Sequence, residues 1–180
     1  MHTIISSTRV APGTAISDRV QVSGLAGETA LVHAALYGPF PATDRISCDG
    51  QPIWSGTISA AADGEYTTDA FTLTVPGYYT YREWIDQGDL VRPAATTCGE
   101  VAETTVATGA PRVVTQVSSQ RTTPGSAITD TVVVSGLGAL EATVQVELYG
   151  PFESAAAVGC TGTPAWTGTF TAAGDGTYTT

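Results

Sequence analysis

Few residues in this chain could do chemistry, and each can be weighed against what its chemistry needs. The string Cys98-Gly99-Glu100 has the form in which an internal thioester begins. A thioester requires a glutamine amide for the thiol to displace, however, and Val101, Ala102 and Glu103 follow instead. A Lys-to-Asn isopeptide cross-link is excluded outright, because the chain contains neither lysine nor asparagine. A Thr-to-Gln ester has its reactants in the abundant threonines and in Gln21, Gln51 and Gln87, yet no acid–base set accompanies those glutamines in sequence. Nucleophilic catalysis needs a base beside a Ser, Thr or Cys, with a third group orienting that base. His2, at a terminus that should fray, and His33 are the imidazoles on offer. Asp44, Asp49, Asp86 and Asp89 fall in segments that read as loops and could converge as oxygen ligands for calcium.

The elements that would have to position these groups come in two copies. Pro12 and Pro124, Tyr37 and Tyr149, Cys48 and Cys160, and Trp54 and Trp166 are each separated by 112 residues, and this register holds without a gap from Arg9/Arg121 to Thr68/Thr180. "PGTAISDRVQVSGL" returns as "PGSAITDTVVVSGL", "LYGPF" returns unchanged, and "DGEYTT" returns as "DGTYTT". A fixed period marks a repeat architecture, and this one has the size of an independent domain. Residues 1–111 read as one complete repeat and residues 112–180 as a truncated second copy, without a counterpart of "FTLTVPGYYTYREWI". Such a fragment should bury too little apolar surface to stand alone. The copies also test the candidates: His33 becomes Gln145, Asp44 becomes Ala156 and Asp49 becomes Thr161. The expectation is a non-enzymatic chain with no catalytic constellation, no cofactor and no metal.

Composition narrows the partners. The net charge is -10 and all seven basic residues are arginine. A surface of this sign repels phosphate backbones and anionic membranes, so nucleic acid is not an expected partner. No window has the apolar length of a membrane span, and "MHTIISSTRV" lacks the basic start and apolar core of a signal peptide. The counterpart of Cys98 would fall at position 210, beyond the chain, so the repeat assigns one pair per complete copy: Cys48 with Cys98, leaving Cys160 an unpaired thiol. Such a bridge would stabilise the repeat by roughly 3 to 5 kcal/mol and would imply an oxidising compartment, hence secretion. The alternative is a set of buried free thiols in a cytosolic domain.

Alternation and turn signals predict seven strands in the first repeat, near Thr3–Arg9, Ala15–Ser23, Ala30–Tyr37, Pro52–Ser59, Tyr66–Val75, Tyr78–Ile85 and Glu100–Ala107. Seven short strands in a segment of this length fit an all-β, immunoglobulin-like sandwich. The strings "ADG" and "GDG" before Tyr66 and Tyr178 read as hairpin turns, with glycine supplying positive φ. "ATVQVELY" points Val144, Val146 and Leu148 inward, which sends His33, Ala35 and Tyr37 of the first copy to the solvent side. Gly77, Tyr79 and Tyr81 follow the spacing of a tyrosine corner, with Tyr81 where an inter-sheet cysteine would stand and both tyrosines pointing inward. On neighbouring third and sixth strands, outward His33 and Tyr37 would lie beside outward Tyr78, Arg82 and Trp84. Exposed aromatics with an arginine suit a glycan or a protein contact. The plainer account of the same residues is cross-strand pairing on a solvated sheet, or contact with a neighbouring repeat.

"VSGL", "LYGPF", "C-x-G-x-P-x-W-x-G", "DG-x-YTT", "GYYTYRE" and "CGEVAETT", in that order, resemble the tandem immunoglobulin-like extracellular repeats of actinobacterial cell-surface proteins of the sortase-anchored type. The resemblance implies a secreted structural spacer at the cell wall, contacting neighbouring repeats of its own chain through short linkers such as "ATGAPRV". Two other functions are compatible with it: an adhesin-type module binding glycan or a host surface protein through the His33, Tyr37, Tyr78, Arg82 and Trp84 face, and the accessory region of a secreted hydrolase.

Overall fold

The computed structural model describes residues 1–89 and 91–180 and is almost wholly β, with three short 3-10 turns and no α-helix among the described residues. The first repeat runs through β1 (His2–Ile5), β2 (Arg9–Val10), β3 (Thr14–Ile16), β4 (Asp18–Val22), β5 (Ala30–Phe40), β6 (Trp54–Ala60), β7 (Gly64–Thr67), β8 (Phe71–Leu73), β9 (Gly77–Ile85), β10 (Ala94–Ala95) and β11 (Thr104–Ala107). The second copy contributes β12 (Arg112–Val117), β13 (Asp130–Ser135), β14 (Glu141–Leu148), β15 (Trp166–Ala173) and β16 (Gly176–Thr179). One sheet of the first repeat has the order β2-β11-β9-β5-β6, with β10 also on β9; β1-β4-β7 and the pair β3-β8 lie outside it. The strip β2 runs parallel to β11, whereas the other pairings are antiparallel. The product is an immunoglobulin-like β-sandwich.

Alternation decides which residues fill it. Ile5, Ile16, Leu36, Leu73, Tyr79 and Tyr81 form one buried cluster, with Trp54 and Phe71 packed against it. Val20, Val22, Leu25, Val32, Ala60 and Ile85 form a second. Removing the side chain of a fully buried Leu from such a cluster typically costs 2 to 5 kcal/mol, so roughly that is expected for Leu36→Ala.

Three predicted strands are interrupted. The segment Ala15–Ser23 divides at Ser17, Tyr66–Val75 divides after Thr67, and Thr3–Arg9 divides into β1 and β2. At the first two breaks a side chain replaces the ladder: Asp18 N–H donates to Thr68 Oγ1 and Thr68 N–H donates to the Asp18 carbonyl, both at 2.9 Å. The segment Glu100–Ala107 also starts later as a strand, because residues 101–103 form a 3-10 turn.

The "ADG" and "GDG" strings are not hairpins. β6 pairs with β5 while β7 pairs with β4, so the turn between them crosses from one sheet to the other. Gly64 and Gly176 do not have positive φ, whereas Gly174, which opens the second string, does, at +90°; the element common to both strings is the aspartate. Asp63 accepts the backbone N–H groups of Gly24 and Leu25, both at 2.9 Å. These bonds hold its carboxyl below the usual carboxylate range. Asp175 repeats the arrangement with Leu137 at 2.7 Å and Gly138 at 3.2 Å.

β5 runs three residues beyond the predicted Tyr37 and reaches Phe40 through a register shift. Gly38 makes this possible: its φ is +129°, and a Cβ there would fall 2.6 Å from the Tyr78 carbonyl oxygen and 2.7 Å from the Tyr79 ring. The ring so packed belongs to the tyrosine corner, and the Tyr79 hydroxyl donates to the Val75 carbonyl at 2.7 Å. Tyr79→Phe is expected to cost about 1 kcal/mol in a urea melt by leaving that carbonyl without its donor. A change indistinguishable from zero would show the corner to be dispensable.

The second copy reproduces the available pairings at the same 112-residue offset. Asp130 pairs with Val117 and Thr131 with Thr179, matching Asp18 with Ile5 and Arg19 with Thr67. Val144 and Val146 face inward but remain half-buried, and Leu148 is exposed. Val117, Ile128, Leu148 and Trp166 line an open cleft of about 610 Å³. Their counterparts in the first repeat are Ile5, Ile16, Leu36 and Trp54, the residues that pack with Tyr81.

Candidate functional site

Two places in the first repeat concentrate polar and aromatic groups: the outer face of β5 and β9, and a layer of the core directly behind it. On the outer face the register sets His33 opposite Trp84, Ala35 opposite Arg82 and Tyr37 opposite Thr80. The His33 and Trp84 rings stack at 5.1 Å with an interplanar angle of 9°, and His33 Nε2 lies 3.1 Å from Asp86 Oδ2. Tyr78 sits further along β9, opposite Phe40.

The middle of this face does not meet solvent. Ala35, Tyr37 and Cys48 form a small buried cluster, with Phe40, Trp84 and Cys98 packed against it. The lid is the Cys48–Cys98 disulfide, which spans 50 residues and joins the loop after β5 to the loop before β11. Tyr37 and Ala35, expected on the solvent side, therefore point outward from the sheet but are buried beneath this cross-link. His33, Tyr78, Arg82 and Trp84 are half-buried. The cysteine arithmetic reads the pair directly, and Cys160 is an exposed free thiol.

Behind this face lies a group that belongs to none of the motifs in the sequence. Asp18 on β4, Glu83 on β9 and Glu103 before β11 are all fully buried, and each offers a carboxylate oxygen within 4.8 Å of the others. Thr3 on β1 is buried beside them, and its hydroxyl donates to Glu103 Oε1. Thr96 Oγ1 donates to Glu83 Oε2 at 3.1 Å. Both Asp18 oxygens, Glu83 Oε1, Glu103 Oε2 and the Thr105 hydroxyl have no hydrogen-bond partner.

Three carboxylates cannot all ionise at this spacing in a buried layer. Burial, reinforced by the Glu103 charge, pushes Asp18 up to about 8. Burial, reinforced by Asp18 and Glu103, pushes Glu83 up to about 9, and burial likewise raises Glu103. At neutral pH the layer therefore holds protonated carboxylic acids, able to donate as well as accept.

The sequence carried a signal for these residues. Once Tyr79 and Tyr81 are placed inward, strict alternation places Glu83 inward too. Asp18 shares a face with Val20 and Val22 in the same way, and Glu103 with Thr105 and Ala107. As donors for a divalent cation the three carboxyls are hard oxygen ligands of a suitable type. The loop aspartates offer the same donor type but are not gathered: among the described residues they form no such group, Asp49 is tied to Ser47 and Asp86 to His33. Gln21, Gln51 and Gln87, considered for ester chemistry, are exposed.

No protein-family model, no curated protein and no solved structure matches this chain.

Proposed function

We propose that this chain is a non-catalytic structural spacer of a bacterial cell-surface protein, its repeats docked end to end outside the cell. The observation that carries this reading is the joint between the copies. Ala139 N–H donates to the Pro76 carbonyl at 2.9 Å, and Ala110 N–H donates to the Gly136 carbonyl at 3.0 Å, so the linker and one loop of each copy are bonded across the boundary. Gly138 has φ +60° and lies against Pro76, where a Cβ would fall 2.6 Å from the proline carbonyl oxygen. Its counterpart in the first copy is Ala26, with φ +53°. The same backbone conformation thus carries alanine in the first copy and glycine where the second copy lies against Pro76.

The disulfide adds support, since such bonds persist in oxidising compartments. No helix among the described residues is long and apolar enough to cross a membrane. The adhesin alternative draws less from the geometry, because Tyr37 and Trp84 are spent on packing beneath the disulfide.

Gly138→Ala tests the joint without adding a backbone strain that Ala26 does not already bear. Small-angle scattering of the wild type is expected to fit one extended arrangement of the two copies, and the variant is expected to need a broader distribution. A wild type already as dispersed as the variant would count against the spacer reading. Retained cell or glycan binding that disappears in Trp84→Ala would favour the adhesin instead.

A further inference from the structure

We propose that Thr3 and Glu103 become joined by an ester bond, a covalent staple between the first strand of the repeat and the segment leading into its last. The two residues are 100 positions apart in sequence, are buried at 2% and 0% exposure, and meet through the Thr3 hydroxyl and Glu103 Oε1. The hydrogen bond satisfies one carboxyl oxygen and strands the other: Oε2 is buried without a partner. An unpartnered polar atom in the core is destabilising, and condensation removes it from the molecule altogether.

The atoms balance as a dehydration. Thr3 Oγ1 forms a bond to Glu103 Cδ, and the Cδ–Oε2 bond breaks. The departing hydroxyl takes up the proton lost by the Thr3 hydroxyl and leaves as water, while Oε1 remains as the ester carbonyl. Rotation about the last side-chain torsion of Glu103, which is soft, presents Cδ to the hydroxyl already in contact with Oε1. Asp18, whose carboxyl lies within 4.8 Å of that of Glu103 and is protonated at neutral pH, is placed to give its proton to the departing oxygen while its other oxygen takes up the Thr3 proton, a general acid–base role. Neither oxidant nor co-reactant is needed.

In open water a carboxylic acid and an alcohol gain little by condensing. Here both are buried and held in contact, which can be worth an effective concentration of about 10⁵ M or more. The acid must also be neutral to react as an electrophile, and burial keeps Glu103 protonated above the ordinary range. The second copy repeats the Thr and the Asp of this set, with Thr115 at the place of Thr3 on β12 and Asp130 at the place of Asp18 on β13.

Intact mass of the full chain, reduced and denatured, followed by peptide mapping, decides the matter. The expected result is a chain one water lighter than its sequence, with the loss mapped to a branched peptide containing Thr3 and Glu103 and reversed by mild base. Thr3→Ser, which retains the hydroxyl, should also lose water, whereas Thr3→Val should fall from a mostly cross-linked population to none. Full mass in the folded wild type would sink the proposal. So would a water loss mapping to Asp49-Gly50, Asp63-Gly64 or Asp175-Gly176, where a succinimide forms instead. A full-mass chain whose melting temperature climbs with added calcium would make the carboxyls a cation site and overturn the ester.

Discussion

Replacing Cys48 and Cys98 together by alanine, in a chain whose Cys160 is also serine, is expected to lower the stability of the first repeat by about 4 kcal/mol. The bridge closes a 50-residue loop, and loop-closure entropy for that length gives a value of this size. For a domain near a hundred residues this corresponds to a fall in melting temperature on the order of 20 °C. The loss has a second component, because the disulfide is also the cover over Tyr37 and Ala35. Solvent quenching of tyrosine fluorescence should therefore rise in the folded variant, before any unfolding. Calorimetry of the Cys160→Ser protein with and without reductant gives the same comparison without changing the loops. A shift of only one or two degrees would mean that the loops hold their places through packing alone.

The second large effect is on pH. Asp18 and Glu83 ordinarily lose their protons near 3.8 and 4.5, but in the folded chain they hold them to about 8 and about 9. Between those limits the native state binds more protons than the unfolded state, so stability falls as pH rises. The contribution is fully present below pH ~4 and is lost progressively as pH climbs to ~9 through the folded values. The repeat should therefore melt at a higher temperature at pH 5 than at pH 8.5, by several degrees per unit over that interval. This is the reverse of a protein whose carboxylates are held by salt bridges. Asp18→Asn and Glu83→Gln should each flatten the slope, since an amide has no proton to lose. A melting temperature that rises from pH 5 to pH 8.5 would show that the carboxyls ionise in the native state and are compensated by a group outside the layer.

Much of the architecture was readable because period-two alternation and the internal repeat agree. Tyr79 and Tyr81 inward, Val144 and Val146 inward, β5 beside β9, and the pairing of Cys48 with Cys98 all follow from one strand period and one 112-residue offset. The misreadings have a common physical origin in long-range partners that local patterns do not name. Asp63 belongs to a "DG" string that looks like a hairpin, but its carboxylate is claimed by backbone N–H groups of the loop before β5. Tyr37 reads as outward and is outward, yet whether it meets water depends on a disulfide folding over it. The carboxyl layer does not stand out in the sequence because acidic residues are mostly exposed. Each of Asp18, Glu83 and Glu103 nonetheless sits in step with apolar neighbours, and three such acids facing one core were the available clue.

The parallel pairing of β2 with β11 also determines how the repeat would carry a pull. The chain enters through β1, antiparallel on β4, passes into β2 and leaves through β11; β2 and β11 are neighbours running in the same direction, so tension that reaches β2 slides one strip along the other. Hydrogen bonds loaded in that way share the force and must break together, whereas an antiparallel pair pulled from one end would open one bond at a time. Once the strips part, the disulfide acts as a shunt. Force passes directly from Cys48 to Cys98, the residues enclosed between them never come under tension, and the extensible length of the ruptured repeat is correspondingly short.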